Sequence, residues 1–314
     1  MEFLRLLEKI RNPFLDSVFL AITSIGGEIV FLAVAITVFW CVNKREGFYV
    51  LITGLVGTLV NQALKLICKV PRPWCDESFA AVEEAVADAG GYSFPSGHTQ
   101  NVTGTFGGVA HWSSRKTTKI ISISLIILVA FSRMYLGVHT PLDVGFSLLF
   151  GALLVMLLRP IFQNEKRYDE FMPYVVAVSA VLSLLHLIFV FTVSERGVDA
   201  ENLLSARENA CTLFGCTLGL IPTYIIDKKY IKFDTDATWY AQIIKLVLGL
   251  SVILLIKEGL KSPLIALFNN EFAARCVRYL LAVLFAGVLW PMTFKFFSRL
   301  HIRALDNITR KNRK

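Results

Sequence analysis

The chain has 314 residues, 55% of them hydrophobic and 18% charged, against about 45–50% apolar and about 25% charged in a soluble domain. A mean hydropathy of +0.59, with apolar runs recurring from end to end, excludes an ordinary soluble domain and predicts a polytopic membrane protein. The net charge of +8 sits in short loops between those runs, so it reads as a determinant of membrane orientation and not as a nucleic-acid surface.

Residues 2–11 place Phe3, Leu4, Leu6, Leu7 and Ile10 at helical spacing among charges, which predicts an amphipathic helix lying on the membrane. The stretch from Met1 to Asn12 is charged and has no apolar core before a small-residue cleavage site, so no cleavable leader is expected. Pro13 opens a second short helix that ends at Gly26-Gly27. Apolar segments then follow at 28–42, 47–67, 96–112, 119–136, 141–158, 172–193, 209–226, 238–256 and 275–296. Each approaches the ~20 residues a helix needs to cross a bilayer, and backbone groups in lipid must be satisfied within the segment. The expected fold is therefore an all-α, polytopic helix bundle of about nine transmembrane helices, with no strand-period alternation.

Lys44, Arg45, Arg115, Lys116, Lys119, Arg159, Lys166, Arg167, Lys228, Lys229, Lys232 and the basic tail to Lys314 fall on one side of this layout. The other side is diluted by Asp76, Glu77, Glu83, Glu84, Asp88, Glu195, Asp199 and Glu201. The positive-inside tendency makes the first side cytoplasmic, with the carboxyl terminus inside and the loop 68–95 and turn 137–140 outside. Cys41, Cys68, Cys75, Cys211, Cys216 and Cys276 form no CxxC pair or metal-ligand spacing and are expected as buried free thiols. Asn101-Val-Thr103 lies within an expected span and Asn307-Ile-Thr309 in the expected cytoplasmic tail, so neither glycosylation pattern informs on compartment.

Three segments carry chemistry, all at outward ends of expected spans. In Lys65-Leu-Ile-Cys-Lys-Val-Pro-Arg72-Pro73, Lys65 and Arg72 share a helix face if the helix persists, and the prolines then close it. Alone, Lys65 reads as a snorkelling lysine; a cation within a span is equally a functional candidate. Pro95-Ser96-Gly97-His98 begins a span, and a helix amino terminus offers unpaired N–H groups and a positive dipole end to phosphate oxygens. Its bland reading is a serine cap beside a structural histidine. In Ser132-Arg133-Met-Tyr-Leu-Gly137-Val-His139-Thr140-Pro141-Leu142-Asp143, Thr140 and Pro141 cap and open a helix whose third residue, Asp143, reaches back toward His139. A carboxylate holding one imidazole nitrogen leaves the other free to attack. Together the segments supply three cations, an anion seat, an oriented histidine and a second histidine, the parts that phosphoryl transfer requires.

The spacing K-x6-RP, then PSGH, then SR-x5-H-x3-D resembles the signature of the type 2 phosphatidic-acid phosphatase superfamily, matches it at every position, and covers about residues 28–158. That resemblance implies a catalytic core of about five to six helices at 28–160, after an interfacial segment at 1–27. Residues 161–314 are then additional transmembrane helices without a role legible in sequence. It implies His139 as the nucleophile forming a phosphohistidine, Asp143 as its orienting partner, and His98 as the acid for the leaving oxygen. Lys65, Arg72, Arg133, Ser96 and Gly97 are implied to bind phosphate, with no metal or other cofactor. The implied partner is a lipid phosphate in the bilayer of a plasma or inner membrane: phosphatidate, phosphatidylglycerophosphate, a polyprenyl pyrophosphate or a sphingoid phosphate. The alternative is a sugar phosphate, because nine spans with an outward amino terminus resemble glucose-6-phosphatase; a non-enzymatic transporter or scaffold is a third reading. The acidic stretch 76–91 reads either as a short helix over the site or as a solvated loop.

Overall fold

The computed structural model describes residues 1–195 and 197–300. The basic tail beyond Leu300, with the Asn307–Thr309 pattern and the orientation expected for it, lies outside the described residues. Every regular element among them is helical. In chain order these are α1 (Glu2–Glu8), α2 (Pro13–Ser24), α3 (Glu28–Thr37, prolonged by a wider turn at Val38–Val42), α4 (Lys44–Cys68) and α5 (Glu83–Ala87). There follow α6 (Gly97–Trp112), α7 (Lys116–Tyr135), α8 (Pro141–Phe162), α9 (Glu165–Thr192) and α10 (Ala200–Ile226). The remainder are α11 (Trp239–Gly259), α12 (Lys261–Phe268), α13 (Glu271–Leu284) and α14 (Phe294–Ser298).

Local chemistry sets many of these boundaries. Asn12 caps α2 by accepting from Leu15 N at 3.0 Å with Pro13 at the first helical position, and Asn164 caps α9 through Arg167 N at 2.8 Å. Among the described residues, seven helical stretches are long and apolar enough to cross a membrane, or eight if α2 and α3, bent by 44° at their Gly26-Gly27 break, form one span. The expected ninth span is α6. At 16 residues it is about 24 Å long, short of the ~30 Å hydrocarbon core.

The chain forms two compact units, Met1–Ala35 with Phe48–Leu213, and Ile36–Gly47 with the residues from Phe214 onward. In the first, α6 packs against α7 and α8, α2 lies on α7, and α9 on α8. Gly151 of α8 leaves room for the Thr103 side chain of α6, 2.7 Å from where a Cβ would stand, the small-residue contact that membrane helices use for close approach. Ile120, Ile121 and Ile127 of α7 are exposed apolar residues, as expected of a lipid-facing stripe. In the second unit, Lys245 does not snorkel: it is buried, donates to Trp40 O at 2.8 Å and lies 4.3 Å from the Phe294 ring centre. The six cysteines are free, but only Cys211 is buried, whereas Cys68 and Cys75 are exposed where α4 ends.

Candidate active site

The site forms where the carboxyl ends of α4 and α7 meet the amino ends of α6 and α8, all within the first unit. Lys65 is in the last turn of α4, buried, and its ammonium donates to Tyr92 O. The helix does not persist to Arg72. It stops at Cys68, with Lys69 in the left-handed region at φ 49°, so a turn, and not helical spacing, returns Arg72 to Lys65's neighbourhood. Arg72 is buried and almost fully engaged: Nε donates to Gly91 O at 2.9 Å, Nη2 to Gly90 O at 2.7 Å, and Nη1 to Val138 O at 3.0 Å. Nη1 also stands 3.0 Å from His139 Nε2.

At the start of α6, Ser96 is fully buried as the N-cap, its Oγ accepting from Thr99 N at 3.4 Å and Thr99 Oγ1 at 3.0 Å. The capping role leaves the serine's own hydroxyl proton to donate. Gly97 follows with its side-chain position open, the nearest atom to a Cβ there being Asn61 Oδ1 at 4.0 Å. His98 Nε2 lies 3.4 Å from Asp88 Oδ2, at the end of α5.

Arg133 closes α7, buried, with Nη1 donating to Thr23 Oγ1 at 2.7 Å and its Nε without a hydrogen-bond partner. Its carbonyl accepts from both Val138 N and His139 N, at 3.1 and 3.2 Å, which folds the turn back onto the helix end. That turn needs Gly137, whose φ is +76°. Thr140 and Asp143 then form a capping box at the start of α8. Asp143 Oδ2 accepts from Thr140 N at 2.8 Å and Ser93 Oγ at 2.6 Å, and lies 3.5 Å from His139 Nδ1.

These contacts assign the histidine's tautomer. A guanidinium can only donate, so His139 Nε2 accepts from Arg72 and carries the lone pair, and the neutral ring's hydrogen is on Nδ1, toward Asp143. Burial, then the charges of Arg72, Arg133 and Lys65, holds the His139 imidazole well below the usual histidine range; the ring is neutral at pH 7. Three cations thus converge on a buried space with Asp143 as their buried carboxylate and Asp88 at the rim, an excess of positive charge that a phosphate dianion would offset.

All eight residues singled out in the sequence come to this one place. Others were not foreseen: Thr23, Asp88 and Ser93 arrive from loops or a distant helix and have no spacing signal. Asn61, one turn before Lys65 on the same face of α4, has such a signal; it is buried with both amide atoms unpartnered. The stretch 76–91 contains α5, whose Val82 and Ala85 pack on Tyr135, Leu136 and Val138. Beside Arg72, between Trp74 and Tyr92, opens a cavity of about 490 Å3.

Residues 46–167 match the PAP2 superfamily, and residues 211–302 match the transmembrane extension of PAP2 superfamily phosphatases. Phosphatidylglycerophosphatase B of Bacillus subtilis is 30% identical over 176 residues, 51% of this chain and 82% of that protein. Lipid phosphate phosphatase delta of Arabidopsis thaliana is 24% identical over 243 residues, 74% of this chain and 56% of the plant protein. Sphingosine-1-phosphate phosphatase 1 of Rattus norvegicus is 24% identical over 286 residues, 86% of this chain and 65% of that protein. The chain therefore spans little more than half the length of the plant relative. No solved structure matches it. An all-α membrane bundle carrying this set of residues, and matching in two separate segments, belongs to the PAP2 superfamily.

Proposed function

We propose that this chain is a metal-independent membrane phosphatase that hydrolyses a lipid phosphate through a phosphohistidine at His139, on the extracytoplasmic face. The observation that carries the reading is the imidazole held between Arg72 and Asp143: its lone pair is on Nε2, among the cations. In this reading residues 28–160 are the catalytic core, 1–27 an interfacial segment, and 161–314 additional membrane helices. Phosphate oxygens lie on Lys65, Arg72, Arg133, the Ser96 hydroxyl and the backbone N–H at Gly97. As His139 Nε2 bonds to phosphorus, the P–O bond to the lipid breaks and His98 gives its proton to the departing oxygen. Water then attacks phosphorus while His98 takes back a proton, and the P–N electron pair returns to His139. Asp143 stabilises the positive charge on the phosphorylated ring.

Relatives whose names specify phosphatidylglycerophosphate, sphingosine-1-phosphate and undecaprenyl diphosphate support a lipid substrate. The extracytoplasmic placement rests on the opposite helix ends, where Arg115, Lys116, Arg159, Lys166 and Arg167 gather. The test is phosphate release in mixed micelles from phosphatidate, phosphatidylglycerophosphate, sphingoid phosphate and glucose 6-phosphate. His139→Ala is expected to abolish release and the acid-labile, base-stable phosphoenzyme. Preference for the sugar phosphate overturns the substrate class; turnover by the variant removes His139 from its role.

A further inference from the structure

Asp88 follows α5 with its side chain largely exposed, and the chain on either side of it is fixed. Upstream, Val82 N bonds to Leu136 O at 3.0 Å and Val82 and Ala85 are buried against the end of α7; downstream, Gly90 and Gly91 are tied to Arg72. Its carboxylate meets His98 Nε2 at 3.4 Å. The other charged or titratable groups that act on this histidine are Arg133 of α7, Arg72 and the His139 ring. Burial first, then the charges of Arg133 and Arg72, oppose protonation of His98, and Asp88 is the one acidic group among these neighbours.

We infer that Asp88 is a positioning residue for His98: it holds the Nε2–H, fixes which ring nitrogen faces the leaving oxygen, and stabilises the imidazolium that donates the proton. The Asp88 carboxyl is itself held below the usual carboxylate range, first by its hydrogen bond with His98. The step balances as one proton passing from the remaining ring nitrogen to the oxygen leaving phosphorus, and one returning to that nitrogen from the attacking water. Nothing in the signature motifs contains Asp88, and the acidic stretch by itself reads as a cover or a solvated loop.

This inference rests on the proposed reaction, and its test separates the two. kcat/KM, which reports the steps through phosphoenzyme formation, is measured on an alkyl lipid phosphate and on p-nitrophenyl phosphate, whose departing oxygen needs no acid. Asp88→Asn is expected to lower kcat/KM about 10–100-fold on the lipid but only a few-fold on the aryl ester, part of the about 10²–10⁴-fold that a general acid supplies. The alkaline limb of the lipid pH profile is expected to move to lower pH, because His98 then binds its proton less tightly. Asp88→Glu is expected to recover part of the loss, and Asp88→Asn to add little in a His98→Ala background. Equal losses on both substrates, or an unmoved limb, overturn the role of Asp88 while leaving the reaction standing. A wild-type protein that releases phosphate from neither, or an active His139→Ala, overturns both.

Discussion

Replacing Asp143 by asparagine separates catalysis from folding at one atom. Asp143 Oδ2 accepts from Ser93 Oγ and Thr140 N and faces His139 Nδ1. The amide keeps the shape and, with its oxygen at the Oδ2 position, can still accept from both partners, so the structural cost is the lost charge assistance of these bonds, about 1–2 kcal/mol. Loss of the negative charge from the first turn of α8 adds about 0.3–1 kcal/mol. The catalytic cost is larger. The uncharged amide no longer stabilises the positive charge that the proposed reaction places on the His139 ring, and it holds the Nδ1 side of the ring less firmly. In a serine-protease triad the equivalent change costs about 10⁴ in kcat, or about 5.4 kcal/mol. Phosphate release by the purified variant in detergent, with a size-exclusion profile and thermal midpoint as folding controls, is expected to fall at least about 10³-fold while the protein stays monodisperse. A kcat within tenfold of wild type in a folded variant would mean that another group orients His139.

Gly137→Ala is expected to destabilise the protein by about 1–3 kcal/mol and to lower activity with it. A residue at φ +76° is strained by any Cβ, and this one would stand 2.6 Å from Arg11 Nη2 and 2.9 Å from Phe79; chemical denaturation in detergent reads the change, and an unchanged midpoint refutes it. Stability should also fall on acidification below the ordinary histidine value of 6.5. The folded protein keeps His139 neutral while the unfolded chain binds a proton, so this contribution is present above 6.5 and is lost as the pH drops toward the depressed folded value, with a slope of at most about 1.4 kcal/mol per unit. Thermal midpoints from pH 8 to 5 should therefore decline more steeply in wild type than in His139→Gln, and parallel curves would contradict the neutral assignment.

Which parts of the site were legible depended on how each residue reaches it. Lys65, Ser96, Arg133, His139 and Asp143 sit at helix ends, and an apolar run with a cap or a proline beside it announces a helix end. Arg72 was placed in the right region for the wrong reason. Nothing in a lysine predicts the left-handed conformation that stops α4 at Lys69, yet it is this turn that sends Arg72 back across the site. Thr23 and Ser93 were invisible because they answer a need created by tertiary structure, a buried guanidinium and a buried carboxylate. The expected count of nine spans is not confirmed at α6, a shorter helix whose glycines and threonines pack against α4 and α8. Apolarity with small residues marks burial in protein as readily as exposure to lipid.

The segment 88–93 connects these observations. Asp88 meets His98, the carbonyls of Gly90 and Gly91 take two Arg72 donors, the carbonyl of Tyr92 takes Lys65, and the Ser93 hydroxyl holds Asp143. Five residues of this stretch thus touch groups on all three motif segments. An arginine and a lysine buried together repel, and a neutral carbonyl is a partner that orients each without cancelling the charge that the proposed substrate would meet. A carboxylate in place of those carbonyls would hold the cations more strongly and compete with the substrate for them. Asp76, Glu77, Glu83 and Glu84 of the loop are exposed, and Asp88 meets His98. The loop, which lies outside every signature position, thus partners two of the three positive groups, Lys65 and Arg72, with neutral carbonyls and leaves Arg133 to Thr23.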